Sequence, residues 1–424
     1  MASAATTGQP LRGDLRNYAL VTGAYWTDTL VDGATRTLVL FYFDRLGYSP
    51  LQVASLFILY EVAGVLTNLL GGFLAARWGL KVTLFMGLGV QVVALLMLGL
   101  APASLLLVPY VMASQALSGI AKDLTKMSSK SAVKLVVAEG DQSALYRWVA
   151  ILTGSKNALK GVGFFIGGLL LTLTGFRAAT LIMAGATLIA LALSSRLMHG
   201  HLGNPDRGAK FRQMFSNNRA VNLLAAARIF LFASRDVWFV VGLPFFLYSA
   251  LGWSFWQVGT LLAVWVIGYG AVQAAAPRLV RRQSQGAVRE PDGRNATWLA
   301  LALAVWPAAI AVALSAHLDG TVAIIVGLVP FGVVFALNSA VHSYLILAYS
   351  ESDRVTMNVG FYYMANAFGR LAGTVLSGVM YELDGLGACL WTSSAFVLAA
   401  GALSLLLPSE MTPRARPAGA SQPA

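Results

Sequence analysis

Apolar runs of roughly 20 residues recur along the whole chain, separated by short polar or Gly/Pro-containing turns, the length needed to cross a bilayer as a helix. The runs predict helices at 17–43, 51–76, 82–100, 104–125, 143–173, 178–198, 220–250, 254–276, 297–317, 321–348, 355–382 and 387–407. Several exceed 25 residues, so tilt or extension past the bilayer is expected. The pattern also repeats. Residues 46–53 (LGYSPLQV) match 251–258 (LGWSFWQV) at an offset of 205, which also aligns Asn68 with Gln273 and Arg77 with Arg282. An offset of 210 aligns Lys160 with Arg370, Gly163 with Gly373, Gly168 with Gly378 and Gly175 with Gly385. Both sets fall at matching helix positions, which predicts two parallel six-helix halves with a solute site at their interface. The reading is therefore an all-α integral membrane protein of twelve helices. Its N-terminal bundle is 1–198, its linker 199–219 and its C-terminal bundle 220–424, with a short tail.

Composition agrees. Hydrophobic residues make up 57% of the chain and charged residues 11%, against about 25% charged for a soluble domain. The outer surface is expected to face lipid. The basic residues set the orientation. Segments on the side of the N-terminus carry Arg and Lys from Arg12 to Arg416, whereas the opposite loops hold only Arg45 and Arg177 beside Asp44, Asp319 and Asp384. That bias places both termini in the cytoplasm. It also accounts for the net charge of +12 without a nucleic-acid partner. The polar stretch 1–16 does not read as a signal peptide. One cysteine, Cys389, allows no intramolecular disulfide and no multi-thiolate metal site. No phosphate-binding GxxxxGK[ST] loop and no His/Glu constellation appears, so neither a P-loop ATPase nor a metalloenzyme is expected, and no cofactor.

Ionisable residues at membrane depth default to functional candidates. The first helix carries Asp28, Asp32 and Arg36 at intervals of four, near one face. Others are Glu61, Lys122 and Asp123, Lys156 and Lys160 with Asn157 between them, Arg228, Arg235 with Asp236, and Arg370. Asp32 and Arg36 are as easily an intrahelical pair holding the fold as a functional one. Arg235 and Asp236, being adjacent, are expected to point apart and need other partners. Lys126, Lys130 and Lys134 read as the solvated end of the fourth helix, and His342, on one face with Asn338, as a satisfied polar residue. The deep cations outnumber the deep anions. Arg offers a fork to phosphate-like groups and Lys a point charge, so a polyanionic solute is the natural reading. Lys156, Lys160, Arg235 and Arg370 are the first choices for its site, with Lys122, Arg36, Arg228 and Asn157 behind them. Asp28, Asp32, Glu61 and Asp236 are the candidates for proton coupling. Asp28 and Asp32 lead, because two carboxylates one turn apart in a partly dry cavity are a natural place for a proton, with Arg36 opposing.

Two resemblances refine this picture. The architecture, and the stretch Gly72 to Lys81 (GFLAARWGLK), resemble the major facilitator superfamily and its loop between helices two and three. Ala76 stands where that loop usually has Asp, and the fifth helix has Gly163, Gly167 and Gly168 but not the proline of the antiporter motif. More closely, residues 115–127 (QALSGIAKDLTKM), 145–149 (LYRWV), 154–161 (GSKNALKG) and 235–241 (RDVWFVV) resemble the ArsJ organoarsenical efflux permeases. That resemblance implies export of 1-arseno-3-phosphoglycerate, arsenate resistance, a bacterial inner-membrane location and a functional link to glyceraldehyde-3-phosphate dehydrogenase, which makes the compound. The pentavalent, oxygen-bound arsenic of that solute requires no thiol cluster. Exporters of drugs or carriers of sugar phosphates are the alternative.

Overall fold

The structure is a computed structural model that describes residues 12–47, 56–138, 141–200, 202, 218–280, 282–284, 287–351 and 354–408. Helices α1 (Arg12–Arg45), α2 (Ile58–Trp78), α3 (Leu80–Leu100) and α4 (Val108–Val136) open the chain. Gln142–Leu197 is one helical stretch broken at Gly175 (φ 76°), giving α5 (142–174) and α6 (176–197). Then follow α7 (Arg219–Ala250), ending in a π turn, α8 (Phe255–Val280), α9 (Gly293–Ser315) and α10 (Gly320–Tyr349). Val355–Ser404 breaks at Asp384 and Gly385 into α11 (355–383) and α12 (386–404). Gly175 and Gly385 are the pair aligned by the repeat, and both take positive φ, which glycine adopts without steric penalty. A short antiparallel hairpin, β1 (Arg282–Ser284) and β2 (Ala287–Arg289), joins α8 to α9. The proposed linker 199–219 and the C-terminal tail lie largely outside the described residues.

Among the described residues, seven helical stretches are long and apolar enough to cross a membrane, two of them being the broken pairs, and α2 is an eighth when counted across its bend. α1 and α4 are more polar because they carry Asp28, Asp32, Arg36, Lys122 and Asp123. Large apolar side chains face outward, among them Leu173, Trp298 and Val326, as a lipid-facing surface requires.

Glycines set the helix spacing. A Cβ on Gly163 or Gly167 of α5 would strike the α1 backbone at Leu30 and Ala34. On Gly369 or Gly373 of α11 it would strike α7 at Ile229 and Ala233. The same two-helix contact thus recurs in each half, packed through small residues as membrane helices favour. Gly378 departs from expectation: nothing lies within 4 Å of a Cβ there, because it is five residues on from Gly373 and so turned to another face of α11, while the adjacent Ser377 keeps the contact by accepting from the Gly242 amide of α7 at 3.1 Å. Gly168 meets only Phe41, at 3.6 Å.

The ends of α1, α3, α6, α7, α9, α10 and α12 share one face. Asn17 bonds the His199 carbonyl, Lys81 the Met198 carbonyl, Asn218 the Tyr349 carbonyl, and the Gly293 amide the Pro408 carbonyl. On this termini face the two halves are closed against each other. α2 meets α11 where Gly72 and Gly360 pack, a Cβ on either lying 2.8–2.9 Å from the other's Cα. α5 meets α8 at Gly154 and Gly270. Lys134 Nζ donates to the Ser350 carbonyl at 2.7 Å, and Tyr146 packs on Tyr344 at 5.0 Å.

α4 runs eleven residues past its expected end at 125. Lys126 and Lys130 therefore lie inside the protein and not on a solvated helix end; Lys130 is 3% exposed. The polar composition of this segment suggested water, but it reflects polar packing between the two halves.

Candidate functional site

In the N-terminal half the three ionisable residues midway along α1 reach different elements. Asp28 is fully buried and accepts from Thr125 Oγ1 of α4 at 2.6 Å; its second oxygen has no partner among the described residues. Asp32 lies between Tyr60 of α2, whose hydroxyl donates at 2.5 Å, and Lys160 of α5, whose ammonium donates at 2.9 Å. Arg36 turns toward Glu61 of α2 at 3.4 Å and lies over the rings of Phe57 and Tyr60. The intrahelical Asp32–Arg36 pair is therefore not formed: a stronger partner from another helix is nearer to each.

In the C-terminal half Arg370 of α11 is the hub. Its Nη2 donates to Glu61 of α2 at 2.9 Å and its Nε to Asp236 of α7 at 3.4 Å. Glu61 belongs to the other half, so this guanidinium joins the halves. Arg235 does not point away from Asp236. Its long side chain folds back, Nη2 lying 2.5 Å from the carboxylate, while the guanidinium rests over Phe232 and Phe335. The result is a continuous line, Arg36–Glu61–Arg370–Asp236–Arg235, with Lys160–Asp32 alongside. At 1.5 Å of rise per residue, Glu61 and Arg370 stand about 15 Å farther from the termini face than Gly72 and Gly360, on the same antiparallel helix pair.

Two cations of this region have no carboxylate within 4 Å among the described residues. Lys122 sits over the Tyr60 ring, 3.9 Å from its centroid. Lys156 bonds only its neighbour Asn157, at 3.2 Å, and Asn157 in turn donates to Gln273 of α8, across the seam, at 2.6 Å. Arg228 of α7 lies deeper, bonded to Asn366 and to the Ser339 carbonyl and stacked on Phe232 and Tyr362.

Tyr60, Thr125 and Gln273 do not stand out in the sequence as parts of a site. Gln273 carries a signal, as the repeat counterpart of Asn68. Tyr60 and Thr125 carry none, since a single hydroxyl in an apolar helix is commonplace. His342 also differs from expectation: it is 1% exposed, and its Nδ1 has no partner among the described residues.

The model of the Major Facilitator Superfamily matches residues 21–357. Among solved structures, a bacterial homologue of the iron transporter ferroportin in an outward-facing state superposes with a TM-score of 0.73 at 15% identity, over 92% of this chain and 98% of that one. The human organic anion transporter MFSD10 (TETRAN) gives 0.73 at 16% identity, over 92% and 99%. The proton:xylose symporter XylE gives 0.65 at 13%, over 92% and 95%. At these identities the likeness carries the fold and not the solute. No curated protein matches by sequence.

Proposed function

We propose, from the premise that this chain belongs to the Major Facilitator Superfamily of membrane transporters, that it exports an organic anion bearing phosphate or arsenate by alternating access. The specific solute we propose is 1-arseno-3-phosphoglycerate, with arsenate resistance as the outcome and the inner membrane of a bacterium, both termini cytoplasmic, as the setting. The observation that carries the reading is the surplus of positive charge between the halves. Among the described residues Lys122 and Lys156 have no carboxylate partner, and Arg36 shares Glu61 with Arg370, which also reaches Asp236. A cation half withdrawn from water without a full counter-charge is costly, and an anionic solute supplies the counter-charge. A cavity for cationic drugs calls for the opposite sign. The organic anion transporter among the fold neighbours works in the same architecture, but the argument rests on the charges.

In this reading the solute competes with Glu61 for Arg370 and so loosens the tie between halves as it binds. Arg370 and Arg235 present forks to its oxyanion groups, and Lys122, Lys156 and Lys160 present point charges. Asp32, Glu61 and Asp236 each hold a cation, whereas among the described residues Asp28 bonds Thr125 and no cation. Asp28 is thus the carboxylate best placed to exchange a proton when the cavity opens.

The test is uptake of enzymatically made 1-arseno-3-phosphoglycerate into everted vesicles, beside labelled sugar phosphates and drugs, with and without an imposed pH gradient. Uptake that Lys156→Gln and Arg370→Gln abolish supports the reading; normal uptake in both variants removes these residues from the mechanism. An initial rate unchanged by collapse of the gradient, with Asp28→Asn and Asp32→Asn both active, replaces antiport by facilitated exit. Exit without coupling is chemically sufficient if the acyl arsenate hydrolyses outside and keeps the gradient steep.

A further inference from the structure

The seam between α5 and α8 carries a tie of a different kind from the one Arg370 makes to Glu61. The two helices touch through backbone. A Cβ on Gly270 would lie 2.5 Å from the Ala158 amide, and one on Gly154 would strike Gly270 and Ala274. The contact continues to Gly161, where a Cβ would lie 2.6 Å from Ile267. Asn157 and Gln273 stand within this stretch, and Asn157 Nδ2 donates to Gln273 Oε1 at 2.6 Å. Gln273 is fully buried. Behind Asn157 lies Lys156, whose Nζ donates to Asn157 Oδ1 at 3.2 Å. Beyond Gln273 lies Tyr269, whose hydroxyl accepts from Gln273 Nε2 at 3.4 Å. Tyr269 packs on Phe335 at 5.8 Å, and Phe335 is one of the rings beneath Arg235. A line of side chains thus runs from Lys156 of one half to the aromatic floor under Arg235 in the other.

The direction of this line is forced. An ammonium donates and cannot accept, so Lys156 must face the Asn157 oxygen. The Asn157 NH2 then faces α8, Gln273 presents its oxygen to it, and the Gln273 NH2 is left for the Tyr269 hydroxyl. Each donation polarises the next amide, so loss of the first bond weakens the second. The repeat counterparts of Asn157 and Gln273 make no such pair. Gln273 aligns with Asn68 of α2, and Asn157, at the offset of 210, with Ala367 of α11. Asn68 also stands at its seam, where a Cβ on Gly360 would lie 2.9 Å from the Asn68 carbonyl, but its amide donates to Gly64 of its own helix. The α2–α11 seam is tied by the ion pair Arg370–Glu61 instead. An anion reaches that ion pair directly, by competing for Arg370. It reaches the amide pair only through Lys156.

We propose that Gln273 is a positioning residue for the site between the halves: through Asn157 it ties the Lys156 donor to the α5–α8 seam, which is tightest when Lys156 donates to Asn157 and loosens when that donor is taken elsewhere. The bond from Asn157 to Gln273 joins two short side chains, so it lasts only while the α5 and α8 backbones touch. In the transport reading, on which this further step rests, an anion that takes Lys156 releases the seam. By reciprocity, closing the seam withdraws Lys156 from the anion. Asn157, expected from the sequence to hold the solute, is committed to the seam instead. Arg370 and Lys156 together then give a bound anion a grip on each of the two seams.

The experiment measures distances across the termini face by double electron–electron resonance in the full-length protein, reconstituted in lipid nanodiscs. Cys389→Ser removes the only cysteine. Spin labels go on Arg196→Cys at the end of α6 and Arg294→Cys at the start of α9, both exposed and in opposite halves. In this background, without ligand, the short distance of the closed face should dominate. Gln273→Leu, which keeps the volume and removes the acceptor, should raise the open-to-closed ratio about two- to tenfold, the range for one hydrogen bond. Gln273→Glu, which retains an acceptor for Asn157, should leave it near the background value. Lys156→Met should raise the ratio too, and the double variant Lys156→Met/Gln273→Leu should go no further than Gln273→Leu alone, a non-additivity that a merely structural glutamine does not produce. Should Gln273→Leu fail to fold, Asn157→Ala carries the same prediction. Titration with 3-phosphoglycerate should raise the ratio saturably in the background protein and by a smaller factor in Gln273→Leu. The proposal is overturned if Gln273→Leu leaves the ratio unchanged, if Gln273→Glu opens the face as far as Gln273→Leu, or if the effects of Gln273→Leu and Lys156→Met add in full. Non-additivity without ligand, in a protein whose vesicles take up no organic anion, keeps the tie and removes the transport reading.

Discussion

The two halves build the same scaffold and arm it differently. In each, the first helix packs on the fifth through glycines, α1 on α5 at Gly163 and Gly167, α7 on α11 at Gly369 and Gly373. In each, a cation of the fifth helix reaches an aspartate of the first: Lys160 to Asp32 in one, its repeat partner Arg370 to Asp236 in the other. The difference is the head group. Lys160 is a point donor, and its aspartate is completed by Tyr60. Arg370 has a planar fork, and its second arm crosses to Glu61. One substitution of type at equivalent positions thus separates a pair internal to its half from a tie between halves. The backbone repeat is preserved because helix packing tolerates no Cβ at these glycines, while the side chains are free to specialise.

The largest effect that this comparison predicts is from Arg370→Gln. It should lower export about 100-fold with protein still in the membrane by immunoblot, because a hydrogen bond to a charged group is worth about 1.5–3 kcal/mol and this half-buried guanidinium makes two. Lys160→Gln should cost only about tenfold, since Asp32 keeps the Tyr60 hydroxyl. If Lys160→Gln proves the more damaging, Arg370 is not the hub. Next is Gly167→Val, expected to destabilise by about 1–3 kcal/mol, the range for overpacking; Gly373→Val should do the same, and unequal melting shifts in detergent would break the scaffold symmetry. Arg370→Lys sharpens the contrast of head groups. One ammonium cannot span both carboxylates, so export should fall about tenfold, and a double-mutant cycle with Glu61→Gln should show coupling of about 0.5–3 kcal/mol in wild type. The smallest effect is Gly378→Ala, where open space predicts a change within about 0.5 kcal/mol.

Much of this arrangement is legible in the chain and some is not. The spans, the repeat and the deep charges can be read because lipid forbids them to be accidental: apolar length sets the helices, and an ionisable residue inside must have a reason. The pairing of those charges cannot be read. Intervals of four suggest Asp32 with Arg36, yet Lys160 and Glu61 from other helices take them. Adjacency suggests that Arg235 and Asp236 part, yet a flexible guanidinium returns to its neighbour. Lysines at the end of α4 suggest water, yet the opposing half covers Lys130. Gly378 follows the repeat in sequence but not in contact, because it lies on a different face of α11 from Gly373, and what that face meets is set by the neighbouring helices.

By itself the sequence determined that this chain crosses a membrane as two related bundles, where its charges fall along each helix, and that cations prevail among them. These follow from local physics: the length of an apolar run, the period of a helix and the price of a charge in hydrocarbon. Only the tertiary structure decided which charges neutralise one another, that Arg370 joins the halves through Glu61, and that Lys130 at the end of α4 is buried. Helical spacing fixes which residues share a face, whereas the rotation and depth of one helix against another fix what that face meets. Those are set by packing summed over the whole interface.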